Sequence, residues 1–354
     1  MQTTRVILAM LVVAIPLAAT PIVAFAAGAG EDPAALTTGQ LRALLNDEDP
    51  ARIAFALYQL AARGELGDPA VKVLCRHTDA YVRRAAVFAL ATKGDASGKP
   101  LLARGVRDAD PGVRRAAVYG LGNLDAESAM PLLDAALDDP HPAVRELAVT
   151  AVGRLGGNDA VRLLIERLND PSQRVRRAAV VVLGALGDGR ALEPLRQLAG
   201  DPERGLDVES ASRVRAKLDA GFNFGYEFLT LPDLLKRFSA RTGIPTFVTD
   251  EALMAIALAA QDPDNLDSLK VSMWHVKARA FLDELTQAAS LVWLVEGGWI
   301  IITVNGYLAY DTPLELEIAG ALYRLGDASA KASLQRFAND PKWSARAAAL
   351  LKPN

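Results

Sequence analysis

DPGVRRAAVYGLGNL, residues 110–124, returns at 170–188 as DPSQRVRRAAVVVLGALGD, two periods of 31 residues further on. From Val71 to Ala199 that period runs without an insertion. One apolar column reads Val71, Leu102, Leu133, Leu164 and Leu195; a second, four residues on, reads Cys75, Val106, Leu137, Leu168 and Ala199. A spacing of four places both on one face of one helix. A second helix supplies Val82, Val113, Val144 and Val175, then Ala86, Ala117, Ala148 and Ala179, then Leu90, Leu121, Val152 and Leu183. Each period is a helical hairpin, and a lone hairpin cannot bury its apolar faces, so neighbours must stack. The expected fold is mainly α: an α-solenoid of helical hairpins.

Asp-Pro pairs at Asp49-Pro50, Asp110-Pro111, Asp139-Pro140, Asp170-Pro171, Asp201-Pro202 and Asp340-Pro341 read as helix starts. The carboxylate accepts from orphan backbone N–H groups, and proline's missing donor costs nothing in a first turn. Gly156, Gly187 and Gly326, each after leucine, read as left-handed helix ends. Arg52, Arg83, Arg114, Arg145 and Arg176 recur in step with Asp108, Asp139, Asp170 and Asp201, which predicts an Arg–Asp ladder between adjacent repeats. One residue beyond lie Arg84, Arg115 and Arg177, candidates for a basic binding strip that Glu146 interrupts.

These stretches resemble HEAT-like repeats of the short kind found in phycobilisome lyases. The resemblance covers residues 37–220 and returns at 306–354, where Leu334, Ala338, Ala345 and Arg346 keep the spacing of Leu133, Leu137, Val144 and Arg145. The first hairpin, Leu41 to Leu66, keeps Leu44 in register and drifts in its second helix, as a terminal cap does.

Ahead of the repeats, Arg5 precedes VILAMLVVAI, and Ala24, Phe25 and Ala26 form a small-x-small site. Residues 1–26 read as a secretory signal peptide and 27–36 as a linker, which places the protein in the periplasm or outside the cell. An uncleaved N-terminal anchor is the alternative, since Val6 to Ala27 approaches a bilayer span in length. Cleavage would leave a chain with no membrane insertion. Cys75, the single cysteine, sits in an apolar column and reads as a buried small hydrophobe with no disulfide to make.

Between Gly221 and Asn305 the period vanishes and short alternating strands take over, an inserted domain at 221–305. FNFGYEF is a strand, LPDLLKRFSARTG an amphipathic helix, TFVT a strand, LKVSMW a strand, ARAFLDELTQAAS a helix, and LVWLVEGGWIIITV two strands about Gly297-Gly298. The order is βαββαββ-like, α+β. This pattern resembles the short N-terminal domain of secretins and TonB-dependent receptors, departing from it between Asp250 and Ser268. The resemblance implies a periplasmic module for protein contacts with no chemistry of its own. Pairing across the turn sets Val295 opposite Ile300, Trp293 opposite Ile302 and Leu291 opposite Val304 on a face toward the helices. The other face, with Val292, Leu294, Trp299, Ile301 and Thr303 and joined by Trp274, is too apolar for solvent. It docks on the solenoid or it binds a partner.

His77, His141 and His275 lie far apart without ligand spacing, and read as solvated or capping residues, not metal ligands or bases. Gly120 and Gly122 follow no strand, so they are no phosphate loop, and no paired carboxylates or nucleophile elbow occur. No catalytic residue, metal or cofactor is expected. Net charge is −3, and residues 71–200 carry 19 Lys or Arg against 15 Asp or Glu, weak for tracking phosphates, so no nucleic acid is expected. No sugar-stacking aromatic pair is evident on the repeats. The expected function is a non-enzymatic exported scaffold binding envelope or periplasmic proteins. The alternatives are a bilin lyase-like accessory role and peptidoglycan or nucleic-acid binding.

Overall fold

The computed structural model describes residues 36–352, apart from 66–68, 94–95, 202–207, 220, 230, 250–251, 254–268, 289–290, 297–298 and 305–312. The signal segment and the departure at 250–268 lie almost wholly outside the described residues. Among the described residues no helix is long and apolar enough to cross a membrane. The fold is mainly α and solenoid-like, as expected, and it packs as two compact units. One takes the hairpins up to Leu124 together with Val208–Tyr307; the other takes Asp125–Asp207 with Leu308–Asn354.

In the first unit three hairpins follow in order: α1 (Thr38–Leu44) with α2 (Pro50–Ala62), α3 (Pro69–Leu74) with α4 (Ala80–Lys93), and α5 (Lys99–Gly105) with α6 (Pro111–Leu121). Small residues set how closely they stack. A Cβ on Gly105 would come within 2.8 Å of the Ala117 methyl, and one on Gly120 equally near Ala91. Cys75 is buried in its apolar column, and burial pushes its thiol up to about 12. At pH 8 it therefore holds its proton. The native protein should react with a thiol-specific reagent at least a hundredfold more slowly than the urea-unfolded chain; equal rates would contradict its burial.

The turns refine the helix-start reading. The capping column is Asp110, His141 and Ser172, whose side chains accept from the N–H groups of Val113, Ala143 and Val175. Asp49 caps α2 as expected, from Ala51. Asp139 and Asp170 stand two residues before the caps and do something else: with Asp108, they accept the backbone N–H of the cap residue at 2.8–3.0 Å. Both oxygens of Asp108 and of Asp170 also take part in the ladder. Arg83 forks onto Asp108 at 2.9 and 2.8 Å, and Arg145 onto Asp170 at 2.8 Å twice. Each arginine also donates to its own turn, Arg83 to the carbonyls of His77 and Thr78, Arg145 to those of Asp139 and Pro140. One guanidinium thus stitches two successive turns. Burial alone would raise the Asp108 pKa, but the hydrogen bonds from Arg83 and the Asp110 N–H, with the Arg83 charge, hold it below the ordinary carboxylate value.

The second unit holds α7 (Ala126–Ala136), α8 (Pro142–Leu155), α9 (Asn158–Glu166), α10 (Gln173–Leu186), α11 (Leu192–Gly200), α15 (Leu314–Arg324), α16 (Ala330–Ala338) and α17 (Ser344–Leu350). Gly187 ends α10 in the left-handed region at φ 69°, its N–H on the Leu183 carbonyl. The hairpin opened by α11 is closed not by the next helix in sequence but by α15, which packs on α10 and α11. Leu325-Gly326-Asp327 repeats Leu186-Gly187-Asp188, and Arg196 on α11 reaches Asp327 at 2.9 Å. The inserted chain therefore lies inside one hairpin.

The helix that the period would put in that place, α12 (Val208–Leu218), belongs to the first unit, where it packs on α14 and β4. The reason is its narrow apolar face. Val214 and Leu218 are buried, whereas α15 buries Leu314, Leu316, Ile318, Ala319, Ala321 and Leu322.

After α12 come β1 (Gly221–Leu229), α13 (Leu231–Thr242), β2 (Thr246–Val248), β3 (Leu269–Lys277), α14 (Ala278–Ala288), β4 (Leu291–Glu296) and β5 (Trp299–Val304), the expected order. β1 pairs antiparallel with β3. The other sheet runs β2-β5-β4, with β5 central, parallel to β2 and antiparallel to β4. The β4–β5 register matches the expected one, including Val295 opposite Ile300 and Trp293 opposite Ile302. The connecting Gly297-Gly298 lies outside the described residues. Phe238 of α13 and Phe281 of α14 stack in the core with centroids 5.2 Å apart.

Candidate protein-interaction cleft

In the first unit a cavity of about 500 Å³ opens between the N-terminal ends of α4 and α6 and the α+β module. One wall carries Asp79, Tyr81, Arg84, Asp110 and Gly112; the other carries Leu235, Lys236, Ser239, Phe247, Leu253 and Trp299. Asp79 and Asp110 are there because helices start there, and each carboxylate accepts first-turn N–H groups. Leu235, Phe247 and Leu253 are buried and give the cleft an apolar back; Lys236 is exposed at its rim and Trp299 is half-buried.

Arg84 joins the walls. Its Nη2 donates to the Val248 carbonyl at 2.6 Å, and its guanidinium lies 5.4 Å from the centroid of the Phe247 ring. It reaches across because Gly112 clears the way: a Cβ there would stand 2.8 Å from Arg84 Cδ. Phe247 is in register with Ile301, so both side chains share the sheet face that Arg84 helps to cover.

The expectation of a solvent-facing basic strip does not hold for Arg84 and Arg115, which are 7% and 2% exposed; Arg177 is half-buried. Arg84 and Glu146 reach across to the next repeat. Position 28 residues further on decides what each head meets: Gly112 for Arg84, and Arg174 for Glu146. Glu146 and Arg174 form a buried pair, with Arg174 Nε at 3.1 Å and Nη2 on the same oxygen. The carboxylate that breaks the basic column is matched inside the fold. Ile301 is likewise buried, as a residue of the central strand, and is not an exposed contact. Trp299 alone of the apolar candidates lines the cleft among the residues whose side chains are described; Trp274 sits on β3, Val292 and Leu294 on β4, and their side chains lie outside the described set. Trp293 faces α14 as expected, its Nε1 on Asp283 at 2.8 Å and Arg279 over its ring.

His141 is a buried cap, a role expected of a turn histidine, whereas His77 stands where the ladder aspartates stand, its Nδ1 accepting the N–H of the cap residue Asp79. Among the described residues no three metal-ligating side chains come together. One feature escaped the sequence reading: Tyr58, Phe88 and Tyr119 form a run of ring contacts, with Phe88 and Tyr119 stacked at 5.5 Å. Their signal was the 31-residue spacing of Phe88 and Tyr119.

A family model described as HEAT repeats matches residues 67–140 and 129–213. No curated protein matches the sequence. Similar solved structures include an engineered protein, 20% identical, covering 49% of this chain and 92% of that one with a TM-score of 0.38. The complex of CpcE and CpcF of phycocyanin lyase from Nostoc sp. is 20% identical, covering 74% and 99% with a TM-score of 0.40. The Escherichia coli protein YibA is 18% identical over 46% and 74%, with a TM-score of 0.34. The 31-residue hairpins, their shared turn chemistry and the matched segments together make residues 67–213 of this chain an array of HEAT-like repeats.

Proposed function

We propose that the protein is an exported, non-catalytic adaptor that holds a segment of an envelope protein in the cleft between its repeats and its α+β module. The observation that carries this reading is Trp299, a half-buried aromatic over an apolar back wall with charged groups at the rim, which is the anatomy of a recognition hot spot. The N-terminal apolar run with its small-x-small site supports export, and the module's resemblance to the secretin and TonB-receptor domain supports an envelope partner. A photo-crosslinking amino acid at position 299, in cells producing the full chain, tests both parts. The expected result is a specific adduct with one envelope protein, lost when Lys236→Glu and Tyr81→Ala are added, and recovery of the protein outside the cytoplasm. A chain retained in the cytoplasm, or an adduct confined to the protein itself, overturns the reading.

A further inference from the structure

The first helices of the second and third hairpins carry a face that neither the cleft nor the ladder uses. Residues 69–107 hold eight Lys or Arg against two Asp or Glu, while residues 125–166 hold three against eight, so charge of opposite sign is segregated along the repeat array. Within the basic stretch Arg83 and Arg84 are engaged, one in the ladder and one on the module. On α3 and α5 the situation is different. Lys72 on α3, Arg104 on α5, and Arg76 and Arg107 in the turns that follow them are exposed; Arg104 acts at a distance on Asp108, which Arg83 already holds, and among the described residues none of the four forms a close ion pair. Lys72 reaches the Ser97 hydroxyl and Arg107 the Ala103 carbonyl, each at 3.5 Å.

These cations stand on one surface. Lys72 reaches from α3 to Ser97 just before α5, and the charges of Arg76 and Arg104 both reach the buried Cys75. Arg76 and Arg107 occupy the same register position one period apart, as do Val73 and Arg104. Val73 is 70% exposed among them. Neither α3 nor α5 contains an acidic residue. A positive patch calls for a negatively charged partner; here, among the described residues, the cations carry long apolar stems and accompany an exposed valine, which suits a surface of anionic headgroups over an apolar layer.

We infer that the α3–α5 face, through Lys72, Arg76, Arg104 and Arg107 around Val73, rests on an anionic lipid surface. Each Lys or Arg near such a surface is worth about fivefold in binding, so four of them give reversible, salt-sensitive association. This inference stands apart from the cleft: it uses none of the cleft's residues.

The test is co-sedimentation of the protein, residues 27–354, with sucrose-loaded vesicles of phosphatidylcholine alone or with 30% phosphatidylglycerol. Binding is expected only to the anionic vesicles and should fall steeply when NaCl is raised from 50 to 300 mM. Arg76→Glu with Arg104→Glu and Arg107→Glu should weaken it about a hundredfold, and Val73→Ser should weaken it less. Unchanged circular dichroism and melting show that these surface variants fold. A control that removes the cleft aromatic, Trp299→Ala, should bind vesicles like the parent. Equal binding to neutral vesicles, no binding to anionic ones at 50 mM salt, or undiminished binding by the triple variant overturns the inference; binding to an acidic polypeptide in place of vesicles does so too.

Discussion

Glu146→Ala is expected to cost about 3–5 kcal/mol of stability, because it strands the Arg174 guanidinium at a site where the side chain is 2% exposed. The loss does not measure the worth of the pair. Two charges were taken out of water to make it, and the attraction between them mostly repays that cost. The second arm follows directly: Glu146→Leu with Arg174→Met, which fills the same space without charge, should recover most or all of the loss. Urea unfolding of the single and double variants reads both numbers. A loss below about 1 kcal/mol for Glu146→Ala would mean that water reaches Arg174, and the buried-column reading would fail.

Gly184→Val should be at least as damaging. A Cβ at this position would lie 2.8 Å from both Cα and Cβ of Ala321, so the obstacle is backbone and cannot rotate away. The two helices, α10 and α15, would have to separate, opening the contact that Ala321 and Leu322 now fill. We expect a loss of more than about 3 kcal/mol, with early loss of hydrogen-exchange protection in α15, α16 and α17. Gly200→Ala is the matched control: nothing lies within 4 Å of its added Cβ, and its stability should stay within about 0.5 kcal/mol of the parent. Should Gly184→Val fold with parental stability, α15 would not be the helix that closes the α11 hairpin.

Much of this was legible because a repeat reports the same contact several times. Two rungs of the Arg–Asp ladder, Arg83 on Asp108 and Arg145 on Asp170, could be read from spacing alone, whereas Arg52 pairs with Asp47 of its own turn, position 77 holding a histidine where the next aspartate would stand. The β4–β5 register was legible for a related reason: a two-residue glycine turn allows one alternation of faces. The fate of Arg84, Arg115 and Glu146 was not. Whether a long charged side chain lies outward or across the next helix is decided by what stands opposite, and Gly112 and Arg174 are 28 residues away, a separation that the 31-residue columns do not align. The capping residues were misplaced by two positions at Pro140 and Pro171 because proline there follows the ladder aspartate, not the cap. The owner of the second-helix place beside α11 was hidden for another reason. Residues 208–218 keep the period in distance but lack its apolar face, and that difference becomes decisive only when α15 competes for the same groove.

The interruption of the α11 hairpin also dictates an order of events as the chain is made. At about 5–20 residues per second, synthesis of the 113 residues from 201 to 313 takes about 10 s. Throughout that interval α11 has no partner, and the apolar flank of α10 that will receive Ala321 faces water. The end of the protein cannot settle before its middle. α16 and α17 rest on α15, so the last forty residues act as a latch that closes only after the module has emerged. A ribosome stalled within the insertion would therefore present a chain whose first hairpins are complete and whose last groove is open, the state most exposed to chaperones and proteases.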